Sequence, residues 1–219
     1  MQKKISHPFL RQIIDCSLII FCVAAIHAFA RYVQTEYLII FNQTPLVAVF
    51  YLPAAVRVFS AIILGYWAAP GIALGLLIEI TYLHPQTFTD FEIVIRIAQT
   101  GLGVCLSLLF WALISKKVTG IANPIIDFAN IDAFDVLQMC LIQAVVNSTT
   151  AHLFYIWSPT IDHHFDLYYY LVMLVGDLTG AFFVFIIANI AFSIALKAGV
   201  ISRKHYEDTM NSELVAVKK

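Results

Sequence analysis

Apolar residues occupy the chain in six long blocks, at about 12–33, 45–67, 69–84, 93–114, 134–157 and 168–196, each closed by a polar or helix-breaking stretch. A helix that crosses a bilayer needs roughly 20 mostly apolar residues. The pattern therefore predicts an all-α, polytopic transmembrane bundle of about six spanning helices. The third block is short and follows the second almost without a break. Trp67-Ala68-Ala69-Pro70-Gly71 is the predicted turn between them, with Pro70 suited to a helix start, where its missing N–H costs nothing. The fourth block opens after a polar loop containing His84-Pro85 and Asp90. Between the fourth and fifth, residues 116–132 carry the helix breakers Gly120 and Asn123-Pro124, and part of this stretch is expected along the membrane surface. The expected organisation is a cytoplasmic N-terminus (1–11), a six-helix domain (12–196) and a charged cytoplasmic tail (197–219).

Charge gives the orientation. Lys3, Lys4 and Arg11 precede the first block, Lys116-Lys117 follow the fourth, and Lys197, Arg203, Lys204, Lys218 and Lys219 follow the sixth. With six crossings these groups share one side. The opposite loops hold Glu36, Asp90, Asp162 and Asp166, with only Arg31 and Arg96 near the membrane. The positive-inside rule then places both termini in the cytoplasm, and the expected location is a bacterial inner membrane. The first block outruns a signal-peptide core and lacks a small-residue cleavage site, so it reads as a retained helix.

Composition narrows the function classes. The 219 residues are 61% hydrophobic and only 12% charged, with a mean hydropathy of +0.84. A soluble domain has too little polar surface to cover that much apolar area, whereas lipid removes the need. A net charge of -1 offers no basic face for nucleic acid. Cys16, Cys22, Cys105 and Cys140 lie in apolar runs without a CxxC pair, as small hydrophobes and not as a disulfide or zinc framework. No serine–histidine–acid spacing, P-loop or Gly-rich nucleotide loop occurs. Neither an enzyme nor a cofactor is expected.

The informative residues are those that lipid excludes. Arg57, Glu79 and Asp177 interrupt the second, third and sixth blocks; at 1.5 Å per residue Arg57 and Asp177 lie ~14–15 Å from the nearest predicted helix end and Glu79 ~15 Å from the start of its block. A charge at that depth costs at least ~2.5–3.5 kcal/mol on insertion scales, so all three are expected to face the bundle interior. Arg57 cannot shed its proton, which calls for an ion pair with Asp177, Glu79 or both. With both carboxylates ionised the trio carries one surplus negative charge, to be balanced by a proton, a cation or a ligand. On the fifth block Gln143, Asn147 and Thr150 share one helical face, and on the fourth Arg96, Thr100 and Gly103 do the same. The candidate cluster is thus Arg57, Glu79, Gln143, Asn147 and Asp177. It is read as a structural lock, a small-ligand or signal-sensing pocket, or an ion path. Close helix contacts are expected at Gly71xxxGly75, Gly176xxxGly180 and Ala24xxxAla28.

Other signals are weaker. His152, Asp162, His163, His164 and Asp166 gather near one end of the fifth and sixth blocks. Their spacing matches no metal motif, so a solvated loop is expected and no metal. The sequons Asn42-Gln43-Thr44 and Asn147-Ser148-Thr149 are minimal patterns, the second buried in a predicted helix. Trp67, Trp157 and Tyr168-Tyr169-Tyr170 suit interfacial aromatic belts.

Two stretches together resemble a known family. Phe50-Tyr51-Leu52-Pro53-Ala54-Ala55-Val56-Arg57, with Leu64-Gly65-Tyr66-Trp67-Ala68-Ala69-Pro70-Gly71-Ile72-Ala73-Leu74-Gly75, resembles the early helix pair of the MASE1 bacterial membrane sensor domains. Val175-Gly176-Asp177-Leu178-Thr179-Gly180 resembles that family's late Gly-Asp-x-x-Gly helix. The resemblance spans about 45–196 and implies a sensory or ligand-binding module. Leu52-Pro53 stands where the family favours a tryptophan–proline pair, and no tryptophan precedes Gly176. MASE1 domains usually sit in front of a signalling enzyme, so a signal here is expected to pass to a separate protein partner. The chain is also similar in size and topology to the substrate-binding subunits of energy-coupling-factor vitamin transporters, whose docking motif Ala24xxxAla28 resembles. A structural accessory subunit of a larger membrane complex is the third reading.

Overall fold

The computed structural model describes residues 8–44, 47–83, 88–115, 118–119, 125–126, 131–158 and 167–197. Among the described residues, six α-helices carry the fold: α1 (Pro8–Glu36), α2 (Leu52–Leu64), α3 (Ala68–Ile78), α4 (Asp90–Ser115), α5 (Ala133–Trp157) and α6 (Leu167–Lys197). A 3₁₀ turn (Gly65–Trp67) joins α2 to α3, and a π turn (Glu79–Leu83) extends α3. Two small antiparallel ladders decorate the loops: β1 (Asn42–Thr44) with β2 (Val47–Ala48), and β3 (Val118–Thr119) with β4 (Ile125–Ile126). Gly120, Asn123-Pro124 and most of the 116–132 connection lie outside the described residues.

The polarity of the molecule is inverted. Large apolar side chains such as Phe21, Phe29, Ile63, Leu102, Leu153, Phe183 and Ile186 stand exposed, while Arg57, Glu79, Gln143, Ser148 and Asp177 are buried. Water penalises that arrangement and lipid favours it. The chain is a membrane protein. Five described helical stretches are long and apolar enough to cross a bilayer: Ile14–Glu36, Leu52–Leu83, Asp90–Ser115, Ala133–Trp157 and Leu167–Ala195.

The second of these stretches doubles back on itself. At its start, the Leu52 N–H donates to Gln34 Oε1 near the end of α1. Beyond the turn, Gly71 packs on Ile20 and Val23, Gly75 on Ala24 and His27, and Glu79 reaches Arg31. Contacts that climb α1 in step with α3 make those two helices parallel, so α2 runs antiparallel to both. The reversal occurs at Gly65, whose φ of 58° lies in the left-handed region that only glycine enters cheaply. It falls two residues before the turn predicted at 67–71. Gly101 of α4 faces Ala69 and Ala73, Gln99 and Arg96 meet Thr150 and Tyr155 of α5, and Asn147 meets Asp177 of α6. Direction therefore alternates from α1 to α6.

A further difference from the predicted helices concerns residues 47–51. They are extended, and α2 begins only at Leu52, with Pro53 in its first turn. Exposed backbone cannot survive in hydrocarbon, and here polar groups of the segment find partners in α1, α6 and the preceding turn. Val49 N–H donates to Phe41 O at 2.9 Å and Tyr51 N–H to Gly176 O at 3.0 Å. Val49 O accepts from the Thr179 hydroxyl at 2.8 Å, and Phe50 O from Gln34 Nε2 at 3.0 Å. Gly176 and Gly180 make this possible, because a Cβ on either would collide with the carbonyls of Ala48 or Tyr51. Their seam is thus between a helix and an extended strand, whereas Gly71 and Gly75 form the expected helix–helix seam. Ala24 and Ala28 are buried on α1, and Ala24 packs against Gly75 of α3.

The bundle divides along its length. Around the Gly65–Trp67 turn lies an apolar core of Val58, Ala61, Ile72, Leu108, Trp111 and Met139. Most buried polar groups lie in the other half.

Candidate functional site

Four helices and the extended segment deliver charge to one place. Arg57 sits about 8 Å into α2 and Asp177 about 15 Å into α6, at 1.5 Å per residue. Because α2 starts at Leu52 and not near 45, Arg57 lies in the half of the bundle away from the Gly65 turn. Glu79 lies in the π turn that follows α3.

Glu79 is not the partner of Arg57. Its Oε1 accepts from Arg31 Nη2 at 2.5 Å, with Glu79 1% and Arg31 13% exposed. Arg31 also donates through Nη1 to the Tyr51 hydroxyl at 2.8 Å. Arg57 approaches the same hydroxyl from the other side, its Nη2 donating at 3.3 Å. Both guanidinium carbons lie over the Tyr51 ring, at 5.4 Å and 5.3 Å from its centroid, within the range of cation–π attraction. Tyr51 is the hub that holds two arginines side by side.

Asp177 is held differently. Its Oδ2 accepts from Asn147 Nδ2 at 2.6 Å, and its Oδ1 has no partner among the described residues. Arg57 and Asp177 are each 2% exposed and line one small cavity with Arg31, Tyr51, Arg96, Asn147, Met173 and Ala48. They form no direct salt bridge within 4.0 Å, unlike Arg31 and Glu79. Arg57 Nε and Nη1 likewise lack partners there.

Arg96 closes the wall from α4. It donates to Gln99 Oε1 at 2.9 Å and to the Tyr155 hydroxyl at 3.1 Å, and stacks over the rings of Phe154 and Tyr155. Gln99 Nε2 passes the link to Thr150 at 2.8 Å. Every recorded partner of Arg96 is neutral.

Of the predicted cluster, the structure brings together Arg57, Asn147 and Asp177, with Glu79 joined through Arg31 and Tyr51. Gln143 is buried one turn earlier in α5, outside the cavity wall. Arg31, Tyr51 and Arg96 are the members that sequence reasoning left out. A charge close to the end of an apolar block reads as an interfacial anchor, and a tyrosine among aromatics carries no distinguishing mark. His152 is buried in α5 with Nδ1 3.0 Å from the Ser148 carbonyl, and Asp162, His163, His164 and Asp166 lie outside the described residues. Compared with known proteins, the chain matches no family model, and no curated sequence and no solved structure is significantly similar to it.

Proposed function

We propose that this protein is a six-pass inner-membrane receptor module that binds a small polar ligand among Arg57, Tyr51, Asn147 and Asp177 and has no catalytic step of its own. The observation that carries the reading is the unclosed pair. Two opposite charges, buried in one cavity, each keep polar atoms unpaired instead of contacting one another. A cluster that served only to lock helices would gain by closing, because each unsatisfied buried group costs about 1–3 kcal/mol and more when charged. Extra stability is left unused where a ligand completes the bonds. The MASE1-like stretches favour a sensory role, with the signal handed to a protein partner. The transporter-subunit reading is disfavoured, since Ala24 packs on Gly75 of α3 and Ala28 is buried.

Six passes follow if the Leu52–Leu83 stretch goes in and out, as its reversal at Gly65 suggests. A reporter active only in the cytoplasm should then work after Lys116-Lys117 and at residue 219, and fail between Asp162 and Asp166. Activity in that last loop would remove the sixth pass. For the ligand, the full chain released from native membranes into a mass spectrometer should retain a small molecule that Arg57→Gln loses. A wild-type chain that carries none, and takes up none from a metabolite extract, refutes the receptor reading.

A further inference from the structure

The charge balance around the cavity points to the sign of what it takes. Three guanidinium groups face it, from Arg31, Arg57 and Arg96, and one carboxylate, from Asp177. Glu79 neutralises Arg31 at 2.5 Å, which leaves two positive charges against one negative. This reverses the sign expected from the sequence, because Arg31 and Arg96 join the cluster. Glu92, one turn before Arg96 on α4, is directed to Thr89 and Ser158. None of the three arginines can discharge by losing a proton. A net positive charge in a low-dielectric wall attracts an anion strongly.

The hydrogen-bonding groups agree. Arg57 Nε and Nη1 are donors without partners among the described residues. The Tyr51 oxygen accepts from both Arg31 and Arg57, which leaves its own hydrogen to donate. Among the cavity's carboxylate oxygens, Asp177 Oδ1 is the opposing acceptor without a partner. The cavity holds about 20 Å³, room for roughly one water-sized group.

We infer that the cavity is a subsite for one anionic atom, either a halide ion or a carboxylate oxygen of a small organic acid, bound by Arg57 and the Tyr51 hydroxyl. The inference rests on the receptor reading and specifies its ligand class. Asp177 weakens the anion and sets a limit on how tightly it is held. This gives the two buried charges opposite effects on binding.

The test is thermal unfolding of the full chain in detergent, titrated with sodium chloride, bromide or acetate against methanesulfonate at constant ionic strength. Saturable stabilisation is expected. Arg57→Gln should abolish it, Tyr51→Phe should weaken it about tenfold, and Asp177→Asn should strengthen it by roughly tenfold or more. Tyr51→Phe carries the test if Arg57→Gln does not fold. Saturation by halides identifies a free ion, and saturation by acetate alone identifies a carboxylate ligand. An unsaturable effect common to every variant would mean a general salt response and overturn the inference, as would weaker binding by Asp177→Asn. If a copurifying molecule sensitive to Arg57→Gln proves cationic or neutral, the ligand class is wrong while the receptor reading stands. If no molecule is retained and no anion saturates, both fall.

Discussion

The α1–α3 interface and the α6 interface with residues 47–51 use the same two devices, a glycine pair and a buried carboxylate, and finish them differently. On the first side, Gly71 and Gly75 bring two regular helices together, and Glu79 closes on Arg31 at 2.5 Å. On the second, Gly176 and Gly180 admit an extended strand, and Asp177 keeps an oxygen open beside Arg57. Closing a buried pair gives each ion a counter-charge within the protein, although Glu79 Oε2 and Arg31 Nε still lack partners among the described residues. Leaving one open forgoes the stability of that contact. The comparison teaches that a charge inside the membrane is classified by its geometry and not by its depth.

The largest effect should come from the glycines of the second side. Gly176→Ala would drive a methyl group into the Ala48 backbone carbonyl, which no side-chain movement relieves. Little folded protein should be recovered by size-exclusion chromatography. Gly75→Ala meets the Ala24 carbonyl at 2.7 Å and His27 Cβ at 2.9 Å, an overpacking of about 1–3 kcal/mol. Equal tolerance at both positions would erase the distinction between the seams.

Next come the carboxylates. Glu79→Gln leaves Arg31 without its counter-charge and should destabilise the solubilised protein by about 3–5 kcal/mol, with much of the loss recovered when Arg31→Gln is added. The same double-mutant cycle on Arg57 and Asp177 should give a coupling of about 1 kcal/mol or less, as expected for charges that share a cavity without touching. A coupling as large as that of Arg31 with Glu79 would mean that the second pair closes in solution.

The smallest effect serves as the control. Gly103 would meet only the Thr150 hydroxyl, at 3.7 Å, if it carried a Cβ. Gly103→Ala should therefore stay within about 0.5 kcal/mol of the parent, read by the same thermal unfolding.

Much of this was legible from residues alone, for physical reasons. Long apolar blocks announce helices in lipid because no other regular element of that length satisfies its own backbone there. Arg57, Glu79 and Asp177 are conspicuous because charge in such a block is rare. The choice of partner was hidden. Arg57 was matched to Asp177 or Glu79 by charge, yet it is Arg31 that holds Glu79, a relation that depends on α1 and α3 running parallel. The start of α2 was hidden too. Val47 to Tyr51 read as a continuation of a helix, and only Pro53 hinted at a boundary. Their extended course depends on Gly176 and Thr179, and no local pattern encodes so distant a partner.

That distance bears on how the protein is made. At about 1.5 Å per residue, the 13 residues of α2 cover roughly 20 Å of a hydrocarbon layer about 30 Å thick. If the Leu52–Leu83 stretch goes in and out, the remainder of that passage falls to the extended segment. Its Val49 carbonyl finds the Thr179 hydroxyl 130 positions later in the chain. During synthesis, α2 therefore leaves the ribosome before the group that shields its leading strand exists. The hairpin of α2 and α3 should remain within the insertion machinery, or at the water interface, until α6 is translated. Nascent chains arrested before residue 167 should accordingly expose 47–51 to a water-soluble thiol reagent at an introduced cysteine. Chains arrested well beyond residue 197 should protect it.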